Sequence, residues 1–183
     1  MNSVDVIFAG FGGQGVLTAG LVLAQMGVDA DLEVLWSPAY GGEMRGGKAY
    51  SMVKLAGSPI LEPACESLNA LVAMNGPALD FCEKLAPGGV LIVNDIVEPE
   101  RIPAGNWRIY RVPLQQLADK AKNPRGANLA AVGCVAAALD LFPKADAETS
   151  VKRFFEKKGK SVLGISAAAA FAGGYDFCCE RSD

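Results

Sequence analysis

The stretch from Val4 to Gly27 constrains the fold most, because it joins an apolar run, a glycine cluster and a helix-like segment. Its first part, "VDVIFAG", is short, apolar and ends in glycine, as a buried strand of a parallel sheet does. The later part, "QGVLTAGLVLAQMG", has apolar residues at helical spacing and ends at a glycine, which favours a helix stop. A strand, a glycine turn and a helix in this order predict the first βα unit of an α/β domain.

The rest of the chain alternates between strand-like and helix-like segments. Strands are predicted for "LEVLWS", "KAYSMVKLA", "LNALVAMN", "VLIVND" and "WRIYRVP", and a helix for "PALDFCEKLAPGG". The last third, which includes "NLAAVGCVAAALDLF" and "KSVLGISAAAAFAGGY", is alanine-rich without strand-like alternation and predicts helices. We therefore expect an α/β, Rossmann-like fold: a mostly parallel sheet flanked by helices, with a helical C-terminal part. Residues 1–183 suit a single domain.

Three glycines of the first cluster, Gly10, Gly12 and Gly15, fit the G-x-G-x-x-G spacing of a dinucleotide-binding turn. Such a turn lets a ligand approach the backbone and aims a helix N-terminus at an anion. The fingerprint also needs an acidic residue at the end of the second strand, where Trp36 and Ser37 stand instead. This disfavours a nicotinamide or flavin dinucleotide. It leaves another anionic or phosphate-bearing ligand, a subunit contact, or glycines required only for packing.

A second glycine-rich segment, "SPAYGGEMRGG", follows the second predicted strand and carries Glu43 and Arg45. Consecutive strands of a doubly wound sheet usually lie side by side, so the two glycine loops are expected to form one rim at the carboxyl edge. Arg45 could bind a carboxylate or phosphate there, or it could simply pair with Glu43 on a solvated loop. The predicted binding residues of this rim are Gly10, Gly12, Gly13, Gln14, Gly15, Ser37, Tyr40, Glu43, Arg45 and Gly46.

Composition narrows the chemistry that the chain can perform. It contains no histidine, and none of its five cysteines forms a C-x-x-C pair, so we expect neither a metal site nor a cysteine-ligated iron–sulfur cluster. The net charge of -3 gives no electrostatic case for nucleic-acid binding. No stretch is judged long enough to span a membrane, and the "MNSVDVIFAG" start lacks the basic region of a signal peptide. A cytoplasmic protein is expected. For the adjacent Cys178 and Cys179, free thiols are favoured, and a vicinal disulfide or a redox role is the alternative.

Several of these segments together resemble a known family. The chain resembles the gamma subunit of the 2-oxoacid:ferredoxin oxidoreductases over most of its length. The resemblance rests on four segments that occur in the same order: "GFGGQGVLTAG", "AYGGEMRGG", "LVAMNGPALDFCEKLAPGGVLIVND" and "NLAAVGCVAAALDLF". The second motif looks most like the 2-oxoglutarate branch and less like the indolepyruvate branch. Ala39 and Gly42 depart from that branch, which expects serine and then proline or alanine at these places.

The resemblance implies a subunit that is inactive alone and works in the oxidative decarboxylation of a 2-oxoacid, with coenzyme A as co-substrate and ferredoxin as electron acceptor. It implies that thiamine diphosphate, magnesium and iron–sulfur clusters belong to partner subunits, with alpha and beta subunits as partners and a ferredoxin-like delta subunit as a further candidate. This chain would complete the subunit interface and offer the coenzyme A side of the site. The alternative from the residues themselves is a stand-alone Rossmann-type small-molecule or dinucleotide-binding domain.

Overall fold

The computed structural model describes residues 3–40 and 48–181. Its centre is a six-stranded sheet in the order β2-β3-β1-β4-β5-β6. The strands are β1 (Val4–Phe11), β2 (Glu33–Tyr40), β3 (Lys48–Ala56), β4 (Leu68–Ala73), β5 (Leu85–Asn94) and β6 (Arg108–Val112). The helices are α1 (Val16–Asp29), α2 (Leu114–Lys120), α3 (Ala127–Ala138), α4 (Lys144–Glu156) and α5 (Ser161–Cys179), with 3₁₀ helices at Gly76–Lys84 and Pro99–Arg101.

The sheet is mixed, with one strand running against the others. β1, β4, β5 and β6 pair in parallel, whereas β3 lies antiparallel between β1 and β2. The expected α/β fold with a helical C-terminal part is confirmed. The expectation that β1 and β2 lie side by side is wrong, because β3 separates them. The connection 41–47 is too short for a parallel crossover, which needs a dozen or more residues, so β3 returns antiparallel to β2.

Alternating side chains of the strands pack into two hydrophobic cores, one on each face of the sheet. Val6 and Phe8 point into the larger core, which the C-terminal helices and α1 cover. Ile7 and Ala9 point into a smaller core on the opposite face, which the 3₁₀ helix Gly76–Lys84 helps to cover. This period of two is the ordinary consequence of strand geometry, and it explains why the central strands read as continuous apolar runs.

The segment predicted as the helix "PALDFCEKLAPGG" is only partly helical. It forms a 3₁₀ helix over Gly76–Lys84, and the remaining residues already belong to β5. Leu85 pairs with Leu68 of β4, so β5 begins directly after Lys84 and the helix ends there. The predicted Pro-Gly-Gly stop therefore lies inside β5, where Gly88 adopts a φ of 77°.

Small residues let α3 and α5 pack with their backbones in contact. A Cβ at Gly133 would overlap the carbonyl oxygen of Phe171, and a Cβ at Gly174 would overlap that of Ala130. Several alanines of the two helices, among them Ala130 and Ala170, are fully buried in the larger core. By length and composition alone, α5 could cross a membrane, with a mean hydropathy of 1.4, which corrects the expectation that no stretch is long enough. Its close packing against α3 is equally typical of a core helix.

Candidate anion-binding site at the glycine loop

The glycine loop turns the chain from β1 into α1 at the carboxyl edge of the sheet. β1 ends at Phe11 and α1 begins at Val16. Gly13 and Gly15 have φ values of 94° and 75°, in the left-handed region where glycine is strongly favoured. Gly15 is the N-cap of α1, and no described side chain caps that end. The first backbone N–H groups of the helix therefore remain available.

Gln14 braces this loop against β4. Its Oε1 accepts hydrogen bonds from the backbone N–H of Phe11 (2.7 Å) and from Asn75 Nδ2 (2.9 Å), and its Nε2 donates to the carbonyl oxygen of Met74 (3.2 Å). A Cβ at Gly10 would lie 2.6 Å from Gln14 Oε1, so this glycine is required for close packing. Gln14 and Gly10 thus shape the loop, and both polar ends of the Gln14 amide are already in use.

The N-terminus of a second helix, α3, meets the glycine loop. Asn128 Nδ2 donates to the carbonyl oxygen of Gly15 at 3.0 Å, and a Cβ at Gly15 would lie 2.6 Å from that same nitrogen. No described side chain caps α3 at Gly126 either, and neither helix has an acidic residue in its first turn. Two helix N-termini with their partial positive charges therefore converge on one place, which favours an anion.

Two cavities flank this junction and share Gly13, Gly15, Pro124 and Arg125. The larger, of about 520 Å³, is lined in addition by Thr18, Lys122, Asn123, Asn128, Leu129, Phe155, Leu163 and Ser166. The smaller, of about 420 Å³, is lined in addition by Gln14, Met74, Asn94, Ile96, Gln115 and Ala127. No described carboxylate lines either cavity.

The basic side chains at the junction come from the turn between α2 and α3. Arg125 and Lys122 are exposed, and neither forms an ion pair with a carboxylate of the described residues. Lys122 has a φ of 55°, and the N–H of Gly126 donates to the carbonyl oxygen of Asn123 at 2.7 Å, which makes this turn tight. Among the described residues, Lys122 and Arg125 form no ion pair, and the nearby carboxylate of Asp119 accepts a hydrogen bond from Gln115 Nε2 at 2.9 Å. The turn is suited to a phosphate or carboxylate ligand.

Asn94, at the end of β5, lines the smaller cavity and has a buried side-chain oxygen without a hydrogen-bond donor among the described residues. The residue is 5% exposed, and its Nδ2 donates to the carbonyl oxygen of Met74 at 3.3 Å. Its Oδ1 is buried and accepts no hydrogen bond from any described residue. An unsatisfied buried acceptor costs about 1–3 kcal/mol, so such a group in a folded protein requires an explanation.

The predicted binding residues fall into two groups. Those of the first glycine loop, Gly10 to Gly15, lie together at this junction. Tyr40 pairs with Ala49, which pairs with Gly10, so the ends of β1 and β2 share one edge with β3 between them. Ser37 is exposed on β2, three residues before that end.

Glu43, Arg45 and Gly46 lie outside the described residues, as does the side chain of Tyr40. β3 separates β1 from β2, which contradicts the strand order from which the rim was predicted. Lys48, directly after the second loop, pairs with Phe11 at the start of the first loop. The prediction that the two loops form one rim stays a prediction. The prediction that Arg45 takes part in binding stays a prediction.

Sequence reasoning missed Lys122, Arg125, Asn128 and Asn94. The signal for the first three was the "KNPRGAN" segment, whose Pro and Gly mark a turn before a helix N-terminus. Asn94 is the first polar residue after the apolar run of β5, and side chains at the carboxyl ends of parallel strands commonly face a ligand site.

The described residues contain no cluster of ligands for a metal ion. The cysteines they include give no sign of an activated nucleophile, because burial raises the pKa of Cys82 to about 11 and that of Cys134 well above its ordinary value. The arrangement can bind an anion, and in the described part of the chain no nucleophile–base pair lies beside it.

Comparison with known proteins places the chain in a family. Residues 5–177 match the family described as Pyruvate ferredoxin/flavodoxin oxidoreductase. The chain is 38% identical over 135 residues to the ketoisovalerate oxidoreductase subunit VorA of Methanothermobacter thermautotrophicus, which covers 73% of this chain and 28% of that protein. It thus spans less than a third of the length of that curated relative. It is 28% identical over 182 residues to the 2-oxoglutarate synthase subunit KorC of Methanocaldococcus jannaschii, covering 96% of this chain and 94% of that protein.

Solved structures share the whole fold. The gamma subunit of a keto/oxoacid ferredoxin oxidoreductase from Geobacter sulfurreducens superposes with a TM-score of 0.84 at 25% identity and covers 98% of both chains. The 2-oxoglutarate:ferredoxin oxidoreductase from Magnetococcus marinus, solved with 2-oxoglutarate, coenzyme A and succinyl-CoA bound, superposes with a TM-score of 0.82 at 25% identity. That match covers 97% of this chain and 31% of the longer one.

Proposed function

Because the chain belongs to the pyruvate ferredoxin/flavodoxin oxidoreductase family and is a gamma-type subunit, we propose that it binds coenzyme A for a 2-oxoacid:ferredoxin oxidoreductase. In this reaction a 2-oxoacid and coenzyme A give an acyl-CoA and carbon dioxide, and two electrons pass to ferredoxin. Residues 1–183 act as one gamma-type domain in the cytoplasm. Its part is to hold the phosphates of coenzyme A and to complete the interface with the subunits that carry the redox chemistry.

One observation carries this proposal: two helix N-termini without a described cap meet beside Arg125 and Lys122, with no described carboxylate lining the cavities. Coenzyme A carries a diphosphate and a ribose phosphate, and phosphates are stabilised by free N–H groups and by the guanidinium fork. The bound coenzyme A of the Magnetococcus relative supports the same ligand here. The glycine-loop residues Gly12, Gly13 and Gly15 let the phosphates approach the backbone.

The chain depends on partners for the remaining chemistry. It has no histidine, and the residues that the structure describes form no metal-ligand cluster. Thiamine diphosphate with magnesium supplies the carbanion chemistry, and iron–sulfur clusters carry the electrons. We place these groups in alpha and beta subunits and in a ferredoxin-like delta subunit. Two relatives support the dependence on partner subunits. The region that matches this chain makes up only 28% of one and 31% of the other, so in both proteins it is part of a much longer polypeptide.

For the 2-oxoacid we propose 2-oxoglutarate. The support is the "YGGEMRGG" motif and the match to KorC over almost its full length. The second candidate is 2-ketoisovalerate, favoured by the higher identity to VorA over a shorter stretch. Steady-state kinetics of the complex with both acids distinguish them: the preferred acid has the higher kcat/KM.

The proposed coenzyme A site is tested in the assembled complex with Arg125→Ala. Losing a charge-assisted hydrogen bond of about 1.5–3 kcal/mol should raise the KM for coenzyme A about 10- to 150-fold, with the KM for the 2-oxoacid unchanged. The matched control is Arg181→Ala, an exposed arginine after the C-terminus of α5, which should leave both constants unchanged. An unchanged KM for coenzyme A in Arg125→Ala would contradict the site.

A further inference from the structure

The segment 57–67, here called the strap, crosses the amino edge of the sheet. It leaves β3 after Ala56 and enters β4 at Leu68, and β1 lies between these two strands. The strap therefore passes the start of β1, at the edge opposite the glycine loop. The structure describes all of its residues, and none of them belongs to a helix or a strand. Its conformation must be fixed by contacts other than a backbone ladder.

A buried lysine fixes the backbone of the strap. Lys54 is 8% exposed, and its Nζ donates to the carbonyl oxygens of Glu62 and Ala64, each at 2.9 Å. The same Nζ lies 3.6 Å from Asp5 Oδ1 on the neighbouring strand, which keeps the buried charge paired. Removing two charges from water opposes folding, so this arrangement is unfavourable unless a fixed strap has a use.

Leu61 directly precedes the two fixed carbonyl groups, and its side chain lies in solvent. It is 92% exposed, more than any other large hydrophobic residue that the structure describes. Pro59 and Pro63 restrict the backbone on either side of it, because the proline ring fixes φ. Single exposed leucines are common on protein surfaces, but one that is already held in place loses little further entropy when a partner buries it.

A cavity of about 410 Å³ opens beside Leu61. Its walls include Ala56, Pro59, Ile60, Leu61 and Glu62. Protein interfaces concentrate their binding energy in apolar anchors that fill pockets. A protruding leucine next to an open, partly apolar recess is typical of such an interface, because a partner can receive the leucine and fill the recess at the same time.

The exposed charges around the strap are mostly negative. Glu62 and Glu66 belong to the strap, and Glu33 pairs with Ala56, which lines the cavity. All three glutamates are exposed, and none forms an ion pair with a cation of the described residues. Lys84 brings a positive charge to the far end of the strap. A protein that covers Leu61 therefore meets unpaired carboxylates and needs Lys or Arg around its apolar pocket.

We propose that the strap docks onto a partner subunit, which receives Leu61 in an apolar pocket rimmed by Lys or Arg side chains. This rests on the proposed function only in that the chain works inside a multi-subunit complex. The charges disfavour the other occupants of such a surface. A second copy docked on the same face would bring Glu62 and Glu66 towards like carboxylates, and a membrane of anionic lipids would repel them.

The experiment measures how tightly variants of the full chain assemble with the remaining subunits. Leu61→Ala should raise the dissociation constant about 10- to 100-fold and leave the melting temperature of the isolated chain unchanged. The variant Glu62→Lys/Glu66→Lys should also weaken assembly, and it should abolish the loss of affinity that added salt causes in the wild type. The matched control is Val162→Ala, which shortens another exposed side chain (85%) on α5 and should leave assembly unchanged.

A second measurement separates the strap from the coenzyme A site. At saturating subunit concentrations the Leu61→Ala complex should keep the wild-type KM for coenzyme A, whereas Arg125→Ala should assemble normally and raise that KM. If Arg125→Ala keeps the wild-type KM while Leu61→Ala still assembles poorly, the proposed coenzyme A site fails and the docking surface stands.

Several results would overturn the docking proposal. They are normal assembly of Leu61→Ala, a large fall in its melting temperature, and an equal loss of assembly in Val162→Ala. Wild-type assembly that does not depend on salt would overturn the basic rim of the partner's pocket. A dimer of the isolated wild-type chain, or binding to phosphatidylserine vesicles, that Leu61→Ala abolishes would assign the surface to a second copy or to a membrane instead.

Discussion

Replacing Gly15 by alanine should destabilise the junction of α1 and α3 by a predictable amount. At a φ of 75° a Cβ costs about 1–2 kcal/mol. The same Cβ would lie 2.6 Å from Asn128 Nδ2, so the hydrogen bond from that nitrogen to the Gly15 carbonyl would weaken, at about 0.5–1.5 kcal/mol. Alanine also restricts the unfolded chain, which offsets about 0.4–1 kcal/mol. The net loss should be about 2 kcal/mol, or a fall in melting temperature of about 4–8 °C for a domain of this size.

The assay is thermal unfolding of the full chain followed by circular dichroism, with Gly12→Ala as the matched control. Gly12 lies outside the left-handed region, and no described atom lies within 4 Å of its position for a Cβ. Gly12→Ala should therefore change the melting temperature by no more than about 2 °C. In the double variant Gly15→Ala/Asn128→Ala the clash is gone, so the second substitution should cost less than it does alone. Equal losses in Gly12→Ala and Gly15→Ala, or strictly additive losses in the double variant, would refute this reasoning.

Three further predictions concern the rest of the chain. Gly174→Ala should lower stability by about 4 kcal/mol or more in thermal unfolding, because its Cβ would overlap the Ala130 carbonyl, whereas Gly173→Ala, with contacts no closer than 3.8 Å, should be mild. When the native chain is treated with an alkylating reagent and analysed by mass spectrometry, exposed Cys179 should be modified, and faster as the pH rises through its raised pKa. Buried Cys82 and Cys134 should not be modified. Fast modification of Cys134 in the native chain would contradict the packing of α3 on α5. The isolated chain should show no turnover with a 2-oxoacid, coenzyme A, thiamine diphosphate and a viologen acceptor. It should also show no low-micromolar affinity for NAD or FAD in calorimetry, because Trp36 and Ser37 stand where the ribose-binding acid is required.

Local patterns predicted most of the elements because their physical causes are local. The strand, glycine turn and helix around Gly15 follow from apolar periodicity and left-handed glycine geometry, and both are visible in the sequence. The direction of β3 was not predicted, because pairing depends on the length of the connection 41–47 and on competition between partners across the sheet. The helix over Gly76–Lys84 is shorter than predicted for a similar reason, because Leu85 pairs with Leu68 of β4 and begins β5.

The candidate site was only half predictable. Gly12, Gly13 and Gly15 carried a sequence signal, while Gln14 and Gly10 serve the shape of the loop. Arg125 reaches the site because Asn128 ties α3 to the glycine loop across more than a hundred residues of sequence, a contact that no local pattern encodes. The unsatisfied oxygen of Asn94 appears only once its partners are known in three dimensions.

Hydrogen exchange of the assembled complex, with and without coenzyme A, tests most directly whether this chain holds the ligand. The segments 12–18 and 122–129 contain the two helix N-termini, and the segment 57–67 after β3 serves as an internal control on another part of the surface. If the account is correct, saturating coenzyme A slows exchange in both N-terminal segments and leaves 57–67 unchanged, and Arg125→Ala removes the protection at the same concentration. Turnover with coenzyme A but unchanged exchange in both segments would show that the ligand binds elsewhere in the complex.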